Sequence, residues 1–99
     1  MYYSIQGIDK PGSLETRMAV RPAHLERLVT LQNEGKLLVA GPHPNIDSED
    51  PGPAGFSGSL IIAEFSDLKE AEEWAKNDPY LLNGVYKDVI VKPFKKVLP

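Results

Sequence analysis

Two segments of helical period, each flanked by short β-rich runs, constrain this 99-residue chain most. The first covers about residues 22–34. At 100° per residue, Leu25, Leu28, Val29 and Leu31 fall on one apolar stripe, and Glu26, Arg27, Thr30 and Asn33 take the opposite arc. Pro22 suits a first helical turn, where its missing N–H is not needed, and Gly35 suits the position just past the end. The second segment opens at Asp67, which makes a capping-box pattern with Glu70. It is expected to bury Leu68, Ala71, Trp74 and Ala75. Pro79 is expected to end it, because the residue before proline is pushed out of the α region.

Residues 2–9 alternate loosely and are rich in β-formers, as a strand requires. Lys10-Pro11-Gly12-Ser13 breaks that strand, and Ser13 is expected to cap a short turn running to Arg17. Residues 36–41 and 57–65 are short, mostly apolar strands. The last strand spans 86–94, and Pro93 within it points to an edge or a bulge. Between residues 42 and 55 lie Pro42, Pro44, Pro51 and Pro53. That stretch is too long for an inert hairpin connection, and its prolines favour a shaped loop that covers a site or touches a partner subunit.

The resulting order is β-α-β-β-α-β. Two split β-α-β units give an α+β fold of ferredoxin-like arrangement: an antiparallel sheet with both helices on one face, in a single domain over residues 1–99. Apolar residues occur at both parities in the strands, so part of the second sheet face is apolar. A symmetric homodimer or higher homo-oligomer is the simplest way to cover it.

Composition removes several function classes. The net charge of −3 and a pI near 5.3 argue against nucleic acid as the main partner, since phosphate neutralisation needs a basic face. No apolar run approaches the length of a membrane span. The N-terminal residues lack the basic region and apolar stretch of a signal peptide, and a cytoplasmic location fits. With no cysteine, thiolate catalysis and cysteine-ligated metal sites are excluded. His43, Asp47, Glu49 and Asp50 lack any metal-ligand spacing and read as solvated loop residues, so no metal or cofactor is expected.

His24 is the residue that most suggests chemistry. It falls on the edge of the first helix's apolar stripe, beside Leu28 and Leu31. Asp78, in Asn77-Asp78-Pro79-Tyr80, is a carboxylate at the end of the second helical segment, where the macrodipole disfavours it. If the two meet across the sheet face, Asp78 would fix the imidazole tautomer and raise its basicity. The plainer alternatives are a boundary histidine bonded to backbone and a turn-initiating Asp-Pro pair. Arg17 and Arg21 suit bidentate binding of an anionic substrate, or surface pairing with Glu15 or Glu26. Gly41 and Pro42 bend a strand end and suit a pocket floor. Ser59 is a strand hydroxyl able to polarise a substrate, and Tyr80 suits a pocket wall or a core cap. No Gly-x-Ser-x-Gly elbow and no phosphate loop is present.

RPAHL around His24, GKLLVAGPHP, GPAGFSGSLIIAEF, WAKNDPY around Asp78, and GVYKDVIVKPFKKV together resemble the YCII-related family, collinearly over essentially the whole chain. The resemblance implies the ferredoxin-like fold of the dimeric α/β-barrel superfamily. It also implies an active site centred on a histidine and an aspartate, which map onto His24 and Asp78. Relatives in that superfamily look like a dehydrochlorinase of chlorinated hydroxyquinols and, more distantly, muconolactone isomerase, so the implied chemistry is proton transfer on small ring or lactone-like anions. The expectation is therefore a cofactor-independent isomerase or lyase acting on a small molecule. The competing expectation is a non-catalytic ligand-binding or oligomeric interaction module on the same scaffold.

Overall fold

A computed structural model describes all 99 residues. Strand β1 (Tyr2–Asp9) leads into helix α1 (Leu14–Asn33) and strand β2 (Leu37–Pro44). A 3-10 turn at Gly52–Ala54 precedes strand β3 (Phe56–Glu64). Helix α2 (Leu68–Lys76), the one-turn helix α3 (Pro79–Leu82) and strand β4 (Tyr86–Phe94) complete the chain. The four strands form one sheet in the order β2-β3-β1-β4, and every neighbouring pair is antiparallel. This is the ferredoxin-like arrangement expected from the order of elements, with the helices on one face.

Strand parity decides which side chains meet the helices. Tyr3, Ile5 and Gly7 of β1 lie opposite Ala63, Ile61 and Ser59 of β3. Tyr3, Ile5, Ile61, Ala63 and Phe65 join Leu28 and Leu31 of α1 and Ala71 and Ala75 of α2 in one core. On the other parity stand Tyr2, Ser4, Ile8, Leu60, Ile62 and Ile90, half-buried or buried on the face away from the helices. Pro93 lies in β4, an edge strand, where a missing N–H interrupts no ladder.

Three expectations about element boundaries change. Helix α1 does not start at Pro22; it begins at Leu14 and carries Pro22 in its interior. Pro22 and Met18 are both exposed, so water can take the Met18 carbonyl that the proline leaves without a donor. Ser13 stands at the N-cap, but its side chain makes no capping bond; its carbonyl accepts from the Arg17 N–H at 2.8 Å. Strand β2 runs through Pro42 to Pro44 instead of ending at Gly41, because an edge strand tolerates proline on its solvent side. The irregular stretch shrinks accordingly, and it is braced by Asn45, whose N–H donates to the Gly55 carbonyl and whose side chain donates to that of Ala54, both at 2.9 Å.

Helix α2 starts as expected, with Asp67 accepting from the Glu70 N–H at 2.8 Å. It ends at Lys76, two residues before the Asp78-Pro79 stop, and Leu68 is exposed rather than buried. Trp74 is half-buried at the rim of the core, tilted against Phe65 and covered by the Arg27 guanidinium 4.2 Å from its ring centroid.

Candidate active site

Asp78 occupies a different local position from the one its sequence context suggests. It is the N-cap of α3, and its Oδ1 accepts the Tyr80 N–H at 2.8 Å. An acid there satisfies a free helical N–H, so the dipole conflict inferred from a longer α2 does not arise. The same Oδ1 lies 2.9 Å from His24 Nδ1. His24 comes from the middle of α1, two turns after Arg17, and is 6 % exposed; Asp78 is 2 % exposed. The continuous α1 therefore has a consequence for the site: it puts Arg17 and His24 on one helix face about 10 Å apart along the axis.

Tyr80 fills the space between them. Its ring stacks on the His24 imidazole, with centroids 3.9 Å apart and planes within 14°, and the Arg17 guanidinium sits 4.6 Å from its centroid. Arg17 is not a surface residue paired with Glu15 or Glu26. It is buried, with Nε donating to Asp9 Oδ2 at 2.9 Å and Nη2 donating to Asp9 Oδ1 at 3.3 Å, to the Gly58 carbonyl at 3.0 Å and to Ser59 Oγ at 2.6 Å. Burial alone would lower the Arg17 pKa, but the hydrogen bond and charge of Asp9 outweigh it and the net shift is upward. The guanidinium thus stays charged and fixed.

These groups surround a cavity of about 170 Å³. Arg17, Arg21, His24, Ser59 and Tyr80 supply its polar wall, and Leu25, Leu28, Ala40 and Ile61 its apolar wall, with Gly41 and Pro42 closing one side. Seven of the eight residues singled out in the sequence therefore line one hollow, and the eighth, Asp78, stands behind His24. Arg21 is exposed at the edge, unlike the buried Arg17. The 42–55 stretch contributes only Pro42; Asn45, Pro53, Ala54 and Gly55 line a separate hollow with residues 8–14, and nothing beyond Pro42 covers the His24 cavity.

Two contributors escape a sequence reading. Asp9 ends β1 and looks like a turn residue, yet strand parity places it on the helix-facing side with Ile5 and Gly7. Tyr86 opens β4 and lies edge-on to Tyr80, with centroids 5.5 Å apart. Burial pushes both phenols above their ordinary pKa, Tyr86 strongly; the Arg17 charge opposes this at Tyr80, and nearby Ser59 opposes it at Tyr86. No group of three or more His, Asp or Glu side chains is placed to hold a metal ion, and no helix is long and apolar enough to cross a membrane.

Known proteins share both the sequence and the shape. Protein YciI of Escherichia coli is 60 % identical over 97 residues, which span 98 % of this chain and 99 % of that one. The dehydrochlorinase TftG of Burkholderia phenoliruptrix, which acts on 5-chloro-2-hydroxyhydroquinone and was solved with 2,5-dihydroxybenzoquinone, superposes with a TM-score of 0.82. It is 30 % identical, with 96 % of this chain and 94 % of that one covered. An antibiotic biosynthesis monooxygenase shares the fold alone, at 19 % identity and a TM-score of 0.53, over 99 % of this chain and all of that one. With the YCII-related domain matched over residues 1–95, the chain belongs to the YCII-related family.

Proposed function

We propose that this protein is a small-molecule enzyme in which His24 is the general acid/base and Asp78 orients it. The observation that carries the reading is the 2.9 Å contact between His24 Nδ1 and Asp78 Oδ1 at the wall of a cavity. A carboxylate on Nδ1 favours the tautomer with the proton there, which leaves the Nε2 lone pair to meet a substrate. The imidazolium formed on taking a proton is then stabilised by Asp78 on one edge and by the Tyr80 ring on one face.

The reaction class is proton abstraction followed by isomerisation or elimination. His24 Nε2 takes a proton from the substrate, and the released electron pair forms a new double bond. Either a leaving group such as chloride departs with its electron pair, or the proton returns to a different carbon. Negative charge develops on a substrate oxygen during that step. Ser59, which accepts a hydrogen bond from Arg17 and is polarised by it, is the donor that receives this charge. Arg17 is neutralised by Asp9, so it delivers directed hydrogen bonds with little net charge, whereas Arg21 at the edge offers a cation to an anionic substrate. No step in this scheme uses a metal or organic cofactor. The likeness to TftG supports a ring substrate bearing hydroxyl or carbonyl groups.

The uncovered apolar sheet face supports a homodimer in which two sheets pack face to face. Ile90→Asp on that face should yield monomers in light scattering; an unchanged mass would remove this element of the proposal.

Positioned acid/base groups contribute on the order of 10²–10⁴-fold to rate. His24→Ala should therefore reduce turnover of any substrate, starting with chlorinated hydroxyhydroquinones, by at least about 100-fold with the circular dichroism spectrum unchanged. Wild-type turnover in a folded His24→Ala protein would reject the assignment.

A further inference from the structure

The Tyr86 hydroxyl is buried and makes no hydrogen bond of ordinary geometry, although Ser59 stands near enough to act on it. Buried hydroxyls without partners are uncommon, because nothing replaces the hydration they lose. Phenylalanine would fill the same slot without that loss.

The backbone shows where the hydroxyl points. Tyr86 reaches from β4 across β1, and its ring lies directly on Gly7: a Cβ there would stand 2.3 Å from the ring's Cζ. Cζ carries the hydroxyl, so the tip of the side chain is the part over Gly7. On the far side of Gly7, in register across the sheet, is Ser59. Ser59 lines the His24 cavity and accepts from Arg17 Nη2 at 2.6 Å. The absent side chain of Gly7 is thus what lets a phenol approach the site's serine from behind.

We propose that Tyr86 is a positioning residue that acts through Ser59, completing a relay in which the phenol donates to Ser59 Oγ and Ser59 donates to a carbonyl or enolate oxygen in the cavity. A serine hydroxyl has one proton and two lone pairs. Arg17 occupies one lone pair, and Tyr86 takes the other. With both filled, the only direction left for the Ser59 proton is the cavity. Burial keeps the phenol protonated, so Tyr86 enters the relay as a donor. An acceptor oxygen in the cavity draws the Ser59 proton forward and leaves the second lone pair to the phenol. The ligand chemistry this selects is an oxygen acceptor on a small ring, and the inference rests on reading the cavity as the substrate site.

The test is a double-mutant cycle on ligand binding, with thermal unfolding of the free protein as a second readout and 2,5-dihydroxybenzoquinone as the probe. Tyr86→Phe should melt at or above the wild-type temperature, since an unpaired hydroxyl is removed. It should also bind the probe about tenfold more weakly, which is about 1.4 kcal/mol. Ser59→Ala should weaken binding as well, and the double variant should bind no more weakly than Ser59→Ala alone. A purely structural tyrosine gives the opposite pattern: a lower melting temperature with unchanged affinity. That pattern, additive losses in the cycle, or a wild-type protein that does not take up the probe would each overturn the relay. His24→Ala separates this from the acid/base reading. Loss of turnover there with no coupling between Tyr86 and Ser59 rejects the relay alone. Coupling with undiminished turnover in His24→Ala rejects the acid/base role alone.

Discussion

Replacing Asp9 with asparagine removes the charge that compensates a buried guanidinium while keeping the side chain's shape. The Arg17 and Asp9 side chains are 6 % and 3 % exposed, and two hydrogen bonds join them. Breaking a buried ion pair from one side costs about 3–5 kcal/mol, because the remaining charge stays desolvated. Asparagine still offers one acceptor to Nε, and the Gly58 carbonyl and Ser59 Oγ still hold Nη2, so about 3 kcal/mol is expected. For a domain of this size each kcal/mol moves the melting temperature by roughly 4–8 °C, giving a drop of about 12–24 °C. Arg17→Met should be similarly harmful, because it strands the Asp9 carboxylate and removes the guanidinium from the Tyr80 face. The double variant Asp9→Asn, Arg17→Met should recover much of the loss, since no unpaired charge remains. Urea unfolding followed by the fluorescence of Trp74, the single tryptophan, measures all three. A loss below 1 kcal/mol in Asp9→Asn, or simple additivity in the double variant, would show that the pair is not the buried anchor of the site.

Further outcomes follow from the same geometry. Gly7→Ala drives a methyl into the Tyr86 ring and should cost about 1–3 kcal/mol. Gly58→Ala, whose Cβ would stand 2.0 Å from the Gly7 carbonyl oxygen, should cost more, because backbone yields less than a side chain; equal urea midpoints would contradict this. Pro22→Ala restores an N–H to the interior of α1 and should raise stability by about 1–3 kcal/mol without altering ligand affinity, and a lower urea midpoint would count against it. In alkaline solution the raised pKa of Tyr86 has a defined sign. Below about pH 10 the phenol is neutral in both states and its contribution is complete; as pH rises further the unfolded phenol ionises first and stability falls. Carbon-13 NMR of labelled tyrosine should therefore show Tyr86 neutral in the folded protein at pH 10, and ionisation there would disprove the burial argument.

The fold was legible because it is written in periodicity. Four runs of β-formers and two amphipathic segments permit few arrangements in 99 residues, and strand parity then distributes the side chains. Local boundaries were less legible where proline was involved. Pro22 reads as a helix start on local grounds, but Arg17, His24, Leu28 and Leu31 all bury one face of α1, and that packing carries the helix through it. Pro79 reads as a helix stop, yet it opens α3 and makes Asp78 an N-cap.

The candidate site was partly visible. Sequence context pairs His24 with Asp78 through a helix-end conflict that the structure removes, and through the family resemblance, which stands without it. Arg17 looked solvent-facing because its partner Asp9 sits eight residues earlier, at a strand end that resembles a turn. Tyr86 carried no signal, since its placement depends on the side chain that Gly7 lacks.

Long-range proton–nitrogen correlation NMR of the imidazoles, recorded where the rings are neutral, probes the His24–Asp78 pair without any substrate. His24 should be the tautomer protonated on Nδ1 and bare at Nε2, distinct from the exposed His43, and Asp78→Asn should abolish that preference. A His24 ring protonated on Nε2 in the wild-type protein would contradict the assignment of His24 as a base held by Asp78.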